Sequence, residues 1–217
     1  MLPTNFANFM LVLSVTAVPT VFSIVAHEVM HGEIARRLGD DTAERAGRLT
    51  LNPISHVDPI GTVILPGLLL YFGLPVFGWA KPVPVDFRRL RNGRAGMVMV
   101  AAAGPLTNLT LAIASALLLR HLPLRIDSEG WRLVSVPLHY MLQFAVKINV
   151  VLAIFNLLPL LPLDGGRVLA GLLPLRIAIK YARLEPYGML ILFLLLYSDF
   201  FERFIGPIIN SVTRILL

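Results

Sequence analysis

Two histidines lie four residues apart in the segment His27-Glu28-Val29-Met30-His31. On an α-helix this spacing places the imidazoles about 40° apart around the axis and about 6 Å apart along it, so both can reach one metal ion. Glu28 projects roughly 100° from His27, which is where a general base for a metal-activated water belongs. The spacing therefore predicts a hydrolytic metal centre with His27 and His31 as ligands and Glu28 as the base.

The metal that these side chains favour is zinc, and it needs a further ligand. The chain has no cysteine, so zinc must be held by His, Asp or Glu, normally three of them with one position left open. Glu33 and Glu44 lie too close to the end of the first helix to wrap back to it easily. Asp164 ends an apolar run loosened by Pro159 and Pro162,. The residues alone leave Asp164 evenly divided between a third ligand and a turn at the membrane surface.

The composition indicates a membrane protein. Of 217 residues 56% are hydrophobic and 15% are charged, against about 45–50% and about 25% in soluble domains. A glutamate and two histidines on an apolar helix are costly in a bilayer, so they indicate function. The net charge is +6. The charged residues lie between apolar runs, which argues against nucleic-acid binding. A soluble peptidase with the same histidine spacing is excluded by the apolar runs.

Four apolar runs are candidates for transmembrane helices. They cover about residues 6–26, 95–119, 136–162 and 187–201, and the first continues as a helical pattern to about Leu38. The sequence therefore predicts an all-α polytopic membrane protein with about four transmembrane helices and short cytosolic loops. We expect residues 1–217 to form a single membrane-embedded domain, with a core at about 15–175 and a C-terminal helix at about 186–205.

A further apolar run, residues 60–79, is interrupted by helix breakers: Gly61, Pro66, Gly67, Gly73, Pro75 and Gly78. Such a segment is tolerated at membrane depth where protein shields its backbone. We therefore expect a re-entrant or β-hairpin-like segment over residues 60–85. Its strand-forming part could clamp an extended substrate by edge pairing.

The distribution of basic residues predicts the orientation. Nine Lys or Arg residues lie from Arg36 to Arg94, whereas Arg120 and Arg125 are the two between Arg120 and Trp131. Cytoplasmic loops are enriched in Lys and Arg, so the region 36–94 is predicted to be cytoplasmic. A full span at 60–79 would carry the later part of this cluster outside, which again favours re-entry. The expected location is the cell membrane, multi-pass, with the active site toward the cytoplasm.

Three ordered motifs resemble those of the site-2 protease family of intramembrane zinc metalloproteases. The family's HExxH-Gly, Gly-x-x-x-Asn and Asn-x-x-Pro-x-x-x-x-Asp-Gly patterns are matched by His27 to Gly32, by Gly104 and Asn108, and by Asn156, Pro159, Asp164 and Gly165. The resemblance covers about residues 15–175 and is to compact members without PDZ or CBS domains. It implies that Asp164 is the third ligand of one Zn²⁺ per chain.

The resemblance also implies the reaction. It would be hydrolysis of peptide bonds in or near transmembrane segments of membrane proteins, near the cytoplasmic side, in regulated intramembrane proteolysis or peptide clearance. The expected partners are a transmembrane protein or peptide and the lipid bilayer. The oligomeric state is not indicated.

Other polar residues could assist. Asn108 could donate to an oxyanion or bind substrate backbone, or it could join helices as a membrane amide. Asn156 and His56 are candidates for substrate binding, although a loop histidine is more often solvated or caps a turn. Asn149 shares a helix face with Asn156, and joining helices is its expected role.

Two other functions compete with proteolysis. A metal or proton transporter could use the same His/Asp cluster, but it would not need Glu28 as a base. A catalytically inactive relative that binds membrane helices would not need the intact set of Glu28 and three ligands.

Overall fold

The computed structural model describes residues 6–74, 78–122 and 129–217, and these residues form helices and loops without a β-strand. The α-helices in chain order are α1 (Phe6–Arg37), α2 (Thr42–Arg45), α3 (Leu65–Tyr71), α4 (Gly93–His121), α5 (Glu129–Asn156), α6 (Asp164–Leu172), α7 (Leu175–Ala182), α8 (Glu185–Tyr197) and α9 (Gly206–Leu216). Shorter helical turns are Pro53–His56, Pro59–Ile64, Phe87–Arg89 and Phe201–Ile205. The predicted all-α class is confirmed for the described residues.

Among the described residues, three helices are long and apolar enough to cross a membrane, in the segments Met10–Arg37, Gly93–His121 and Leu133–Asn156. The predicted count of about four spans is not confirmed. The C-terminal helix expected at 186–205 is interrupted because Ser198 leaves helical geometry with ψ of 164°, and helix resumes at Phe201. The 13 residues of α8 extend for about 20 Å, short of a bilayer core of about 30 Å.

The segment expected to re-enter the membrane is helical from Pro59 to Tyr71 and has no regular secondary structure over residues 78–85. Asp58 begins the turn Pro59–Ile64 by accepting hydrogen bonds from the N–H groups of Ile60 and Gly61, at 3.0 and 2.7 Å, and α3 follows. The β-hairpin-like form is therefore not confirmed, and re-entry stays a prediction. Residues 75–77 of this segment, including Pro75, lie outside the described residues, as does Arg125.

The three long helices pack against one another, and α6 packs against α4. Small or branched side chains fill the interior, with Ala35, Ala112, Val146 and Val150 fully buried. Small residues allow membrane helices to approach closely. Larger apolar side chains such as Leu117 and Leu133 face outward and are more than half exposed. This arrangement, with small residues inside and large apolar residues outside, suits a protein surrounded by lipid.

Candidate metal centre

Three predicted ligands converge at one point. Nε2 of His27 lies 3.1 Å from Nε2 of His31, and Oδ2 of Asp164 lies 3.1 and 3.3 Å from these two nitrogens. The side chains of His27, His31 and Asp164 are only 8, 11 and 15% exposed. Two imidazoles and a carboxylate so arranged could hold one metal ion.

The chain builds this cluster from two helices that are distant in sequence. Both histidines lie near the end of α1, one helical turn apart, while Asp164 is the first residue of α6. The first turn of α6 lies against the loop before it, because a Cβ at Gly165 would collide with the main chain of Leu157 and Leu158. Glycine at 165 thus permits the close approach that brings the Asp164 carboxylate to α1.

Helix α4 forms the wall of the cluster. A Cβ on Gly104 would lie 2.5 Å from Nε2 of both His27 and His31, closer than real Cβ contacts. The same helix also binds the outer nitrogens of the two rings. His31 Nδ1 lies 2.7 Å from the Val100 carbonyl oxygen, and His27 Nδ1 lies 2.6 Å from Oδ1 of Asn108.

These outer contacts decide which ring nitrogens carry protons. Carbonyl oxygens accept but do not donate, so Nδ1 of each neutral ring must donate, and each Nε2 presents a lone pair to the cluster. Oδ2 of Asp164 is buried and accepts no hydrogen bond from the part of the chain that the structure describes. Three acceptors therefore face one another in a buried site, an arrangement that a cation stabilises. Two imidazole nitrogens and a carboxylate are a donor set that fits zinc with a fourth position left for water.

Glu28 lies beside the cluster and has a main-chain partner. Its Oε2 accepts a hydrogen bond of 2.9 Å from the N–H of Val83. Val83 belongs to residues 78–86, a stretch without regular secondary structure that we call the strap. The carboxylate of the predicted base is thus held by a segment that is far from it in sequence.

Main-chain N–H groups at alternate residues of the strap donate hydrogen bonds to other parts of the protein. The N–H of Trp79 donates to the carbonyl of Gly61 at 3.1 Å, and that of Lys81 donates to the carbonyl of His56 at 2.9 Å. The Lys81 carbonyl accepts from the guanidinium of Arg48 at 2.7 Å. The N–H groups of residues 79, 81 and 83 are therefore already used within the protein, so a substrate strand could pair with them only by replacing these bonds.

The strap ends at Asp86, where it is tied to the end of the first helix. The N–H of Asp86 donates to Oδ2 of the fully buried Asp40 at 2.7 Å. A hydrogen bond from the Arg88 guanidinium lowers the pKa of the Asp86 carboxyl, which therefore stays ionised. The strap is thus anchored on both sides of Val83.

The remaining predicted site residues have partners of other kinds. His56 is 2% exposed, and its Nε2 donates to the Thr50 carbonyl at 2.9 Å, so its contacts are with the loop and the strap. Asn156 donates to the Leu152 carbonyl of its own helix at 3.0 Å. Neither residue belongs to the cluster, and their roles in substrate binding stay predictions.

Asn108 has a place that differs from the expected one. Its amide N–H groups point to Oδ1 of Asn149 at 2.8 Å and to the Ser23 carbonyl at 3.3 Å, and its oxygen faces His27. Both donors are used, so the side chain has no N–H left for an oxyanion in this arrangement.

Several groups around the cluster were not among the predicted site residues. Asn149 has a signal in the sequence, since an amide in an apolar helix is unusual. Val83 and Val100 have no signal in the sequence, because they contribute main-chain N–H and C=O groups, which every non-proline residue carries.

Comparison with known proteins gives consistent results. Residues 122–198 match the model of peptidase family M50. The chain is 37% identical over 194 residues to the "Putative zinc metalloprotease YwhC" of Bacillus subtilis, covering 88% of this chain and 84% of the relative. It is 31% identical over 170 residues to the "Putative zinc metalloprotease MJ0611" of Methanocaldococcus jannaschii, covering 76% and 73%. The "Putative zinc metalloprotease Rip2" of Mycolicibacterium smegmatis is 29% identical over 184 residues, covering 84% and 66%. No solved structure matches.

Proposed function

The chain belongs to peptidase family M50, the site-2 proteases, and from this premise we propose that His27, His31 and Asp164 hold its zinc while Glu28 acts as the general base. The chain is an intramembrane zinc metalloprotease, a multi-pass membrane protein with a zinc cofactor. The observation that carries the residue assignment is the convergence of three buried lone-pair donors within 3.3 Å of one another. The assignment agrees with the requirement of zinc for three protein ligands and an open position.

The proposed chemistry is peptide-bond hydrolysis. Zinc held by these residues supplies Lewis-acid polarisation of the scissile carbonyl and acidifies a water molecule. Oε2 of Glu28 is bonded to Val83, so Oε1 is the atom that takes the proton from water. Glu28 then returns that proton to the leaving amine. The outer bonds of His27 and His31 fix the tautomer and the orientation of both rings,.

The substrate proposal is a transmembrane segment of another protein. An apolar groove of about 360 Å³ runs along α1 and is lined by Ala17, Val18, Val21, Phe22, Val25, Leu51 and Pro53. Val21 and Glu28 are seven residues apart, so they lie about 20° apart around the helix axis. A substrate helix in this groove would therefore approach the face of α1 that carries the base. Its scissile amide must leave its helical hydrogen bond before attack.

The orientation of the site is also part of the proposal. Arg45, Arg48, Arg88 and Arg89 lie on the segments around the strap, and cytoplasmic loops are enriched in such residues. We assign the metal centre to the cytoplasmic side of the membrane on this basis. We also assign residues 1–217 to one membrane-embedded catalytic unit.

The alternatives make different use of Glu28. A transporter that used the His/Asp cluster would not need a base, and both relatives are named "Putative zinc metalloprotease". A catalytically inactive relative would bind transmembrane segments without cleaving them. Glu28 is therefore the residue whose substitution separates proteolysis from both.

The test is zinc content and cleavage of a transmembrane model substrate by the full chain in detergent or proteoliposomes. Wild type should carry one zinc and cleave. Glu28→Gln should keep zinc and lose cleavage, because the base is removed and the ligands remain. Asp164→Asn should lose most of its zinc.

Glu33→Gln is the matched control. Glu33 lies on the same helix as Glu28 and is paired with Arg36 and Arg37 away from the cluster, so this variant should keep both zinc and cleavage. Full cleavage by Glu28→Gln would refute the role of the base, and full zinc in Asp164→Asn would refute the third ligand.

A further inference from the structure

A series of hydrogen-bonded, buried polar side chains joins the three long helices behind the metal centre. Ser23 of α1, Asn108 of α4 and Asn149 of α5 are 1, 0 and 1% exposed. Nδ2 of Asn108 donates to Oδ1 of Asn149 at 2.8 Å, and Nδ2 of Asn149 donates to Oγ of Ser23 at 2.8 Å. Such groups are costly in an apolar interior unless every one is hydrogen-bonded, so their presence together requires a reason.

Two main-chain carbonyls determine which groups donate and which accept in this series of hydrogen bonds. The Ala145 carbonyl can only accept, and the amide nitrogen of Asn149 donates to it at 2.9 Å. Oδ1 of Asn149 must then face Asn108. The Ser23 carbonyl likewise accepts from Nδ2 of Asn108 at 3.3 Å. Rotating the Asn108 amide by 180° would place its oxygen against two acceptors, so the observed orientation is the stable one.

The hydrogen-bonded series ends at His27, which is a proposed zinc ligand. With its amide held in this way, Asn108 presents Oδ1 to Nδ1 of His27 at 2.6 Å. An acceptor at Nδ1 holds the ring proton there and leaves Nε2 as the lone-pair nitrogen. Groups that bond the outer nitrogen of a histidine ligand in this way orient the ring and raise its basicity.

We propose that Asn108 is a positioning residue for zinc binding, which keeps His27 in the tautomer and ring orientation that present Nε2 to the metal, and that Asn149 and Ser23 keep Asn108 in place. The proposal rests on the ligand assignment made above. It replaces the oxyanion role expected for Asn108. It also gives α5, which contributes no ligand, a part in the metal centre through Asn149.

The two histidines differ in the kind of group that accepts the hydrogen bond from Nδ1. His31 Nδ1 donates to the Val100 carbonyl, a main-chain group that no side-chain substitution removes. The partner of His27 is a side chain. The effect of that partner can therefore be measured on one ligand while the other remains as an internal reference.

A purely structural role for the amides makes a different prediction. If Asn108 and Asn149 only join helices, their loss should lower the melting temperature and leave the zinc affinity of the folded protein unchanged. If Asn108 positions His27, zinc affinity must fall in protein that is still folded.

The experiment measures zinc affinity of the detergent-solubilised full chain by competition with a chelator, with helix content checked by circular dichroism. Asn108→Leu should weaken zinc binding by about 10–100-fold, the usual effect of losing such a partner. Asn108→Asp keeps an acceptor for His27 Nδ1 and should bind zinc more tightly than Asn108→Leu. Thr107→Val is the control, because the Thr107 hydroxyl bonds only to the Ala103 carbonyl of its own helix.

Asn149→Leu provides a second, milder test. It should weaken zinc binding in the wild-type background and add little to Asn108→Leu, because both act through His27. If Asn108→Leu does not fold, Asn149→Leu answers the question alone. Cobalt substitution gives a second readout, since a reoriented imidazole changes the absorption bands of the bound ion.

The outcomes separate this proposal from the one it rests on. Wild type that binds no zinc contradicts the ligand assignment itself. Wild type that binds zinc tightly, with Asn108→Leu and Asn149→Leu binding equally well, overturns only the positioning role. Equal zinc affinity of Asn108→Leu and Asn108→Asp would also overturn it.

Discussion

The main-chain N–H of Val83 donates a hydrogen bond of 2.9 Å to Oε2 of Glu28. One carboxylate oxygen of the proposed base is therefore held, and the other is left to accept a proton. The bond also links the strap to α1. Whatever displaces the strap must release Glu28 at the same time.

Replacing Val83 with proline removes this N–H and should reduce cleavage. A positioned general base contributes about 10²–10⁴-fold to rate, so we expect Val83→Pro to lower kcat by roughly 10-fold to 100-fold. Zinc content should be unchanged because no ligand is touched. Val83→Ala keeps the N–H and should cleave nearly as fast as wild type. Equal rates for the proline and alanine variants would show that the bond does not matter.

Adding one methyl group at Gly104 should disturb the metal centre directly. The new Cβ would lie 2.5 Å from Nε2 of both His27 and His31, so the rings must move apart. We expect Gly104→Ala to weaken zinc binding by about 10-fold or more, as for other changes next to metal ligands. Gly67→Ala is the control, since its Cβ would meet no atom of the described residues within 4 Å. Chelator competition measures both, and unaltered affinity of Gly104→Ala would contradict the geometry.

Removing zinc should destabilise the fold. With the proposed ligands the ion would join α1 to α6, and a ligand present at 1,000 times its Kd contributes ~4 kcal/mol. We expect a chelator to lower the thermal unfolding temperature of wild type in detergent. The Asp164→Asn variant, which already lacks a ligand, should respond much less. Identical curves for wild type with and without chelator would count against a metal link between the two helices.

Loss of Arg48 should impair catalysis without affecting zinc. Its guanidinium is buried and donates to the Lys81 carbonyl at 2.7 Å, and leaving such a carbonyl unpaired costs about 1–3 kcal/mol. Because Lys81 and Val83 belong to the same strap, Arg48→Met should lower kcat while zinc content stays at wild-type level. Arg45→Met is the control, because Arg45 is exposed and its ion pair with Asp41 contributes little. Zinc loss in Arg48→Met would instead assign Arg48 to the metal centre.

The sequence predicted the parts of the site that depend on residue type and spacing. His27, Glu28 and His31 follow from helix geometry, and Asp164 from a family motif, because imidazoles and carboxylates are scarce in apolar helices. The strap contact and the Val100 carbonyl could not be predicted, since main-chain groups have no residue signature. Asn108 was predicted to be functional, and its neighbours were needed to show which way its amide faces. The count of four spans stays a prediction, and the break at Ser198 in the last apolar run had no signal in the sequence.

The long separation along the chain between His31 and Asp164 has a consequence for biosynthesis. A ribosome synthesises α1 first, and α4, α5 and finally α6 follow. A nascent chain therefore carries two proposed ligands, His27 and His31, and the proposed base before Asp164 has been synthesised. Without Asp164 the proposed centre is one ligand short. We therefore expect proteolytic competence only after α6 has been synthesised and packs against α4.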